Sequence, residues 1–260
     1  VLQNAADRVS GITNGIDQSI WNPKTDTKLA ANYDLRSWQQ GKQANKCSLQ
    51  QQFALEQNDA IPLIGLVGRL AEQKGWDLIL PVLRWHLSEH RPTQWIVLGS
   101  GDRQYEHELR ELEKEYPNQF ALHIGFSDVL AHRIEAGSDV FVMPSHYEPC
   151  GLNQLYSLRY GTIPIVTPTG GLSDTVVDCR DETLADGTAT GFYVREITPH
   201  GLDNAIGRAL YLRYHNPQHW LQLIETGMAQ DWSWRKSAME YESLYAKTLT
   251  LKSATKRSES

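Results

Sequence analysis

From Pro62 onward, short apolar runs alternate with segments of helix length, and this alternation constrains the fold more than any other feature. The runs fall at 63–67, 95–98, 121–124, 140–143, 163–166 and 191–194. Amphipathic, helix-like stretches fill the gaps at 76–89, 103–116, 129–136, 152–160 and 172–177. Strand, helix, strand at this spacing predicts an α/β fold: a Rossmann-like, doubly wound parallel sheet of about six strands with helices on both faces. Such sheets bind ligands beyond the carboxyl ends of their strands, where the strand order reverses.

The unusual residues obey that rule. Arg69 and Lys74 follow the first run, Gly99-Ser-Gly-Asp102 the second, and Gly125 and Phe126 the third. Glu148 to Leu152 follow the fourth, and Thr169-Gly-Gly-Leu172 the fifth. All five loops leave the same edge of the predicted sheet.

Arg69 and Lys74, five residues apart on one loop, can converge on an anion. Guanidinium offers phosphate a planar fork and ammonium a point charge. The alternative is a solvated basic pair. Gly99-Ser-Gly-Asp102 lacks the GxGxxG spacing and reads better as a tight strand-to-helix turn. Glu148 stands at the end of a run that should be fully buried. A carboxylate there either caps the helix starting near Gly151 or accepts from sugar hydroxyls, and helix caps are more usually Ser, Thr, Asp or Asn. Backbone amides near Leu152 and Asn153 would face an anion at that helix start, and a diphosphate fits. Phe126 either stacks on a nucleobase or packs in the core. Cys150 has no base at a motif spacing and reads as a small buried residue. His86 with His90, and His215 with His219, are HxxxH pairs outside any HExxH, and read as solvated helix-end residues. His132 and His146 read as hydrogen-bonded structural groups.

A net charge of −6 argues against a general nucleic-acid or membrane-surface binder, either of which wants a basic face. Three cysteines without a CxxC pair imply no disulfide framework and a reducing compartment. No apolar run reaches the length that spans a bilayer, and polar residues occupy 1–17 where a secretory signal would need an apolar core. The chain does not start with Met, which suggests processing or a fragment of something longer. A Gln-rich helix is expected at 38–57 and further helices at 199–214, 217–228 and 234–248, the last anchored by Trp232, Trp234 and Tyr241, with Met239, Leu244 and Tyr245 available for packing. The expected organisation is a nucleotide-sugar domain over 1–232, a C-terminal helix over 233–250 and a disordered tail over 251–260.

Together these residues resemble the carboxyl-terminal half of bacterial glycogen synthases and plant starch synthases, retaining glycosyltransferases of the two-domain GT-B type. The resemblance runs from about Ala5 to Lys247. It rests on NGIDQSIWNPKTD (14–26), GLVGRLAEQKGWDLIL (65–80), VLGSGD (97–102), HRIEAGSDVFVMPSHYEPCGLNQLYSLRYGTIPIV (132–166) and TGGLSDTV (169–176). It implies that Arg69 and Lys74 neutralise the nucleotide diphosphate, that Glu148 contacts glucose hydroxyls, and that Gly125 and Phe126 adjoin the adenine. It further implies that the backbone of Cys150, Gly151, Leu152 and Asn153 holds the distal phosphate and glucose, and that Thr169, Gly170 and Gly171 complete the pocket. Related families carry a second Glu eight residues after the first. Here that position is Tyr156, a departure shared with glycogen and starch synthases. The implied reaction moves glucose from ADP-glucose to the end of an α-1,4-glucan, with no metal or other cofactor, in the bacterial cytoplasm or, for a plant protein, the plastid stroma. The family's amino-terminal domain, with its Lys-x-Gly-Gly motif and acceptor-binding groups, is absent from this sequence. Nucleotide binding without appreciable glucan synthesis is therefore expected of the chain alone, whose C-terminal helix would cross to the missing domain. A non-catalytic nucleotide- or glucan-binding module, and a retaining transferase using UDP-glucose, are the alternatives.

Overall fold

The computed structural model describes residues 9–258, with side chains over 9–250. Strands β1 (Leu63–Val67), β2 (Gln94–Gly99), β3 (Phe120–Ile124), β4 (Val140–Met143), β5 (Ile163–Val166) and β6 (Phe192–Tyr193) form one sheet. Its order is β3-β2-β1-β4-β5-β6, and every pairing is parallel. The chain walks outward from β1 to β3, then returns to the other side of β1 as β4. The order therefore reverses between β1 and β4, as the alternation of runs predicts for a doubly wound sheet.

Burial on both faces explains why these strands lack an apolar–polar alternation. Successive side chains point to opposite sides. Ile64, Leu66, Val97, Val140 and Ile165 enter one core, while Leu63, Ile96, Leu98, Phe141 and Met143 enter the other. The helices are α1 (Trp38–Gln52), α2 (Trp76–Ser88), α3 (Arg103–Glu115), α4 (Asp128–Gly137), α5 (Asn153–Tyr160), α6 (Gly171–Thr175), α7 (Asp181–Ala185), α8 (Pro199–His215), α9 (Pro217–Ala229) and α10 (Trp234–Ser258). Trp76 of α2, Leu109 of α3, Ala205 of α8 and Trp220 of α9 share the first core. Leu49 of α1 and Ile134 of α4 share the second.

Three features depart from expectation. Helix α1 stops at Gln52 rather than 57, because Ala54 turns into the left-handed region at φ 53° and the Leu55 amide folds back on the Gln50 carbonyl. A short 3₁₀ turn (Glu72–Lys74) and α7 have no periodic signal in the sequence. Helix α10 continues to Ser258, through most of the segment expected as a disordered tail. Glu259, Ser260 and residues 1–8 lie outside the described residues.

The chain divides into two compact units, Ser19–Gln230 and a smaller one joining Val1–Gln18 to Asp231–Ser260. Residues 9–18, expected with the sheet, thus group with the C-terminal helix. Within that smaller unit the Ile16 amide donates to the Trp232 carbonyl at 2.7 Å, and Ser237 Oγ donates to the Thr13 carbonyl at 2.8 Å. These bonds hold α10. Trp234 and Tyr241, expected as anchors, and Met239 and Tyr245, expected to pack, are exposed instead. No helix among the described residues is long and apolar enough to cross a membrane.

Candidate active site

The loops leaving β1 and β4 meet at the reversal point and are laced together. The His146 amide donates to the Gln73 carbonyl at 3.0 Å, Gln73 Nε2 donates to the Tyr147 carbonyl at 3.2 Å, and Asn153 Nδ2 donates to the Val67 carbonyl at 2.7 Å. Trp76 Nε1 donates to the Arg69 carbonyl and fixes the start of α2. Gly75 permits this closeness. It sits at φ 78°, and a Cβ there would lie 2.2 Å from the Pro144 carbonyl oxygen.

Across this seam Lys74 Nζ donates to Glu148 Oε2 at 2.5 Å. The carboxylate side chain is only 10% exposed and the ammonium side chain 25%. Ser145 Oγ also donates to Glu148 Oε2, at 3.4 Å. Glu148 is thus no helix cap, and the side-chain capping alternative is overturned. Arg69 is exposed, with Nη2 donating to Gln73 Oε1 at 3.3 Å. The two cations leave one loop as expected, but of the pair only Arg69 is without a carboxylate partner among the described residues. Lys74 already serves an anion of the protein itself.

Beside the pair, α5 begins without a side-chain cap, as do α1, α2, α6 and α9. Helices α3, α4 and α8 are capped by the side chains of Asp102, Ser127 and Thr198. At α5 the cap position is Leu152, which accepts nothing through its side chain. The amides of Gly151, Leu152 and Asn153 have no acceptor among the described residues, so this helix start remains available to an anion. The loop after β5 closes the same side: the Gly171 amide donates to the carbonyls of Glu148 and Pro149 at 3.1 and 3.2 Å, and Thr167 Oγ1 donates to the Ser145 carbonyl. Gly170, at φ 48°, passes so near Glu148 that a Cβ would lie 2.1 Å from its carbonyl oxygen. Thr169 is half-buried beside them.

Phe126, next to Gly125 at the end of β3, is 91% exposed, which removes the core-packing alternative. Tyr156 stacks on Trp21 with ring centroids 3.6 Å apart, and Trp21 stacks in turn on His132 at 3.6 Å. Cys150 is a half-buried free thiol rather than a buried one. Gly99-Ser-Gly-Asp102 is a tight turn, its Asp102 amide donating to the Leu70 carbonyl at 2.8 Å. His132 and His146 are structural, bonded to Asp26 at 2.6 Å and to Asp77 at 2.8 Å. His86 departs from expectation: it is buried, with Nε2 2.8 Å from Asp203 Oδ1, and burial lowers its pKa. Sequence reasoning missed Gln73 and Trp21, whose roles depend on partners distant along the chain, and Ser145, whose hydroxyl donates to nearby Glu148.

The family model for glycosyl transferases group 1 matches residues 49–213, a span that includes all six strands and the loops just described. The chain belongs to the group 1 glycosyl transferases. Among curated relatives, a glycogen synthase of Rhodopirellula baltica is 59% identical over 96% of this chain and 50% of its own length. A glycogen synthase of Thioalkalivibrio sulfidiphilus is 48% identical over 94% of this chain and 50% of its own. The catalytic domain of starch synthase IV from Arabidopsis thaliana, solved bound to ADP and acarbose, superposes with a TM-score of 0.87 at 35% identity, over 96% of this chain and 51% of that one. This transferase chain therefore spans about half the length of the curated relatives it matches, and its sheet is the Rossmann-like half of a GT-B fold.

Proposed function

We propose that this chain is the donor-binding half of a glycogen synthase, which moves glucose from ADP-glucose to the non-reducing 4-hydroxyl of an α-1,4-glucan with retention. The observation that carries this reading is the Lys74–Glu148 contact at the strand-order reversal, beside the uncapped start of α5. A sugar diphosphate needs both signs of charge at one place: a cation and amides for its phosphate oxygens, a carboxylate for its hydroxyls. Donor entry draws Lys74 onto phosphate and frees Glu148 to accept from the glucose hydroxyls. Arg69 closes on the diphosphate as a second cation. As the bond from the glucose anomeric carbon to the diphosphate breaks, its electron pair stays on the leaving oxygen. The α5 amides already face that charge, and Lys74 and Arg69 join them once the donor is bound, so that the leaving diphosphate is met by donors in place before the bond breaks. Two cations and a helix start suffice for this task, so the reading requires no metal.

Phe126, exposed past the end of β3, takes the adenine. ADP rather than UDP is supported by the 35% identity to a starch synthase solved with ADP. The acceptor glucan is held mainly by the other half that the relatives possess, and their bacterial sources support a cytoplasmic setting. Calorimetry with ADP, UDP and ADP-glucose tests the donor, and tighter binding of UDP would overturn it. In the full-length protein, Arg69→Ala is expected to lower turnover by roughly 10²–10³, the scale of losing one preorganised donor. Near-wild-type turnover would remove Arg69 from the mechanism.

A further inference from the structure

Gln154, on the first turn of α5, is completely buried, yet its side chain turns back toward the loop before it. Its Nε2 lies 2.9 Å from the Cys150 carbonyl oxygen, 3.2 Å from that of Gly151 and 3.1 Å from Thr175 Oγ1. Thr175, itself buried on α6, donates from that hydroxyl to the Gly171 carbonyl at 2.6 Å. The Gly171 amide donates to the Glu148 carbonyl at 3.1 Å. A closed circuit of hydrogen bonds therefore ties the loop after β4 to the loop after β5. Gln154 Oε1 is buried without a partner. An unmet acceptor is costly, so what this position retains is donor capacity.

In a planar trans peptide the C=O of one residue and the N–H of the next point in opposite directions. Gln154 draws the Cys150 and Gly151 carbonyls inward, and so turns the amides of Gly151 and Leu152 outward. Those are two of the amides at the α5 start that lack an acceptor. We propose that Gln154, relayed through Thr175, is the positioning residue that aims the Gly151 and Leu152 amides at the distal phosphate of the donor. This rests on the donor-site reading above and adds to it a residue that never touches the ligand.

The test compares ADP with AMP, which lacks the distal phosphate, by calorimetry on this chain. Gln154→Met keeps the length and removes the donors; Thr175→Val removes the hydroxyl and Thr175→Ser retains it. Gln154→Met is expected to weaken ADP at least about fivefold, the scale of losing a directed hydrogen bond, with AMP changed less than about twofold. Thr175→Val should shift ADP in the same direction and Thr175→Ser should restore it. ADP affinity within about twofold of wild type in both Gln154→Met and Thr175→Val overturns the proposal. So do equal losses for ADP and AMP, which mark a purely structural role. Where Gln154→Met fails to melt cooperatively, the Val and Ser pair decides by the same thresholds. A wild-type chain that binds no ADP is a different result, and brings down the donor site along with this inference.

Discussion

In the proposed function Glu148 has two partners to choose between: Lys74, which it holds in this structure, and the sugar hydroxyls of a bound donor. The competition has a measurable sign. Glu148→Gln keeps the shape but releases Lys74 for phosphate, so ADP alone should bind about threefold or more tightly by calorimetry, while transfer by the full-length protein falls by about 10² or more. Weaker ADP binding in that variant would mean that the carboxylate positions the ammonium rather than competing for it. Phe126 allows a cleaner experiment, because at 91% exposure it has little folding role. Phe126→Ala should leave the melting temperature unchanged and weaken ADP by about tenfold, the scale of one lost base–aromatic stack. Residue type and position after a strand were enough to single out Arg69, Lys74, Glu148 and Phe126. The lacing was not legible, since Gln73 acquires meaning only when loops some seventy residues apart are brought together.

Helices α1, α4 and α5 share a buried polar cluster behind the site, and it gives the fold a pH dependence of its own. Lys42 Nζ donates to the Ala136 and Tyr160 carbonyls and to Thr162 Oγ1, at 3.0, 3.3 and 2.7 Å. Ser157 Oγ donates to Glu135 Oε2 at 2.7 Å. Burial pushes Glu135 up to about 8 and Lys42 down to about 7. A carboxyl whose pKa is raised by folding contributes stability that is complete below about pH 4.5 and is lost as pH rises toward 8. Lys42 contributes in the opposite sense, losing stability as pH falls from about 10.5 to 7. Between pH 5 and 7 the slope from this pair belongs to Glu135. Glu135→Gln should therefore gain on wild type in melting temperature as pH rises through that window, and a constant difference would contradict the raised pKa. At this scale the sequence was most readable, because strands buried on both faces must be apolar throughout. The exceptions have a common cause: α7 is five residues long and the 3₁₀ turn at Glu72–Lys74 only three, too short for any period to show.

A parallel sheet whose order reverses once puts every strand's exit loop on one edge, and so collects residues from 69 to 171 into a single wall. That arrangement was legible from the regular spacing of unusual residues after each apolar run. Grouping residues 1–18 with 231–260 was not, since it depends on pairing the two ends of the chain. One wall of this kind is expected to bind a nucleotide without enclosing a polymer. The 260-residue chain is accordingly expected to bind ADP in calorimetry yet transfer no detectable label from ADP-glucose to glycogen, with transfer appearing when the remaining half found in its relatives is supplied. Label transfer by the chain alone would show that its acceptor contacts are already sufficient. The contact between Lys74 and Glu148 also bears on turnover. Under the proposed donor reading, orthophosphate arriving at the empty site would have to displace a carboxylate and would bring no hydroxyls to occupy it, so small anions are expected to inhibit poorly. After glucose had gone to the acceptor, ADP would face the same disadvantage, because Glu148 would have lost its sugar and would draw Lys74 back. On that reading, the contact that neutralises the resting site is expected to hasten the departure of spent nucleotide and to limit product inhibition.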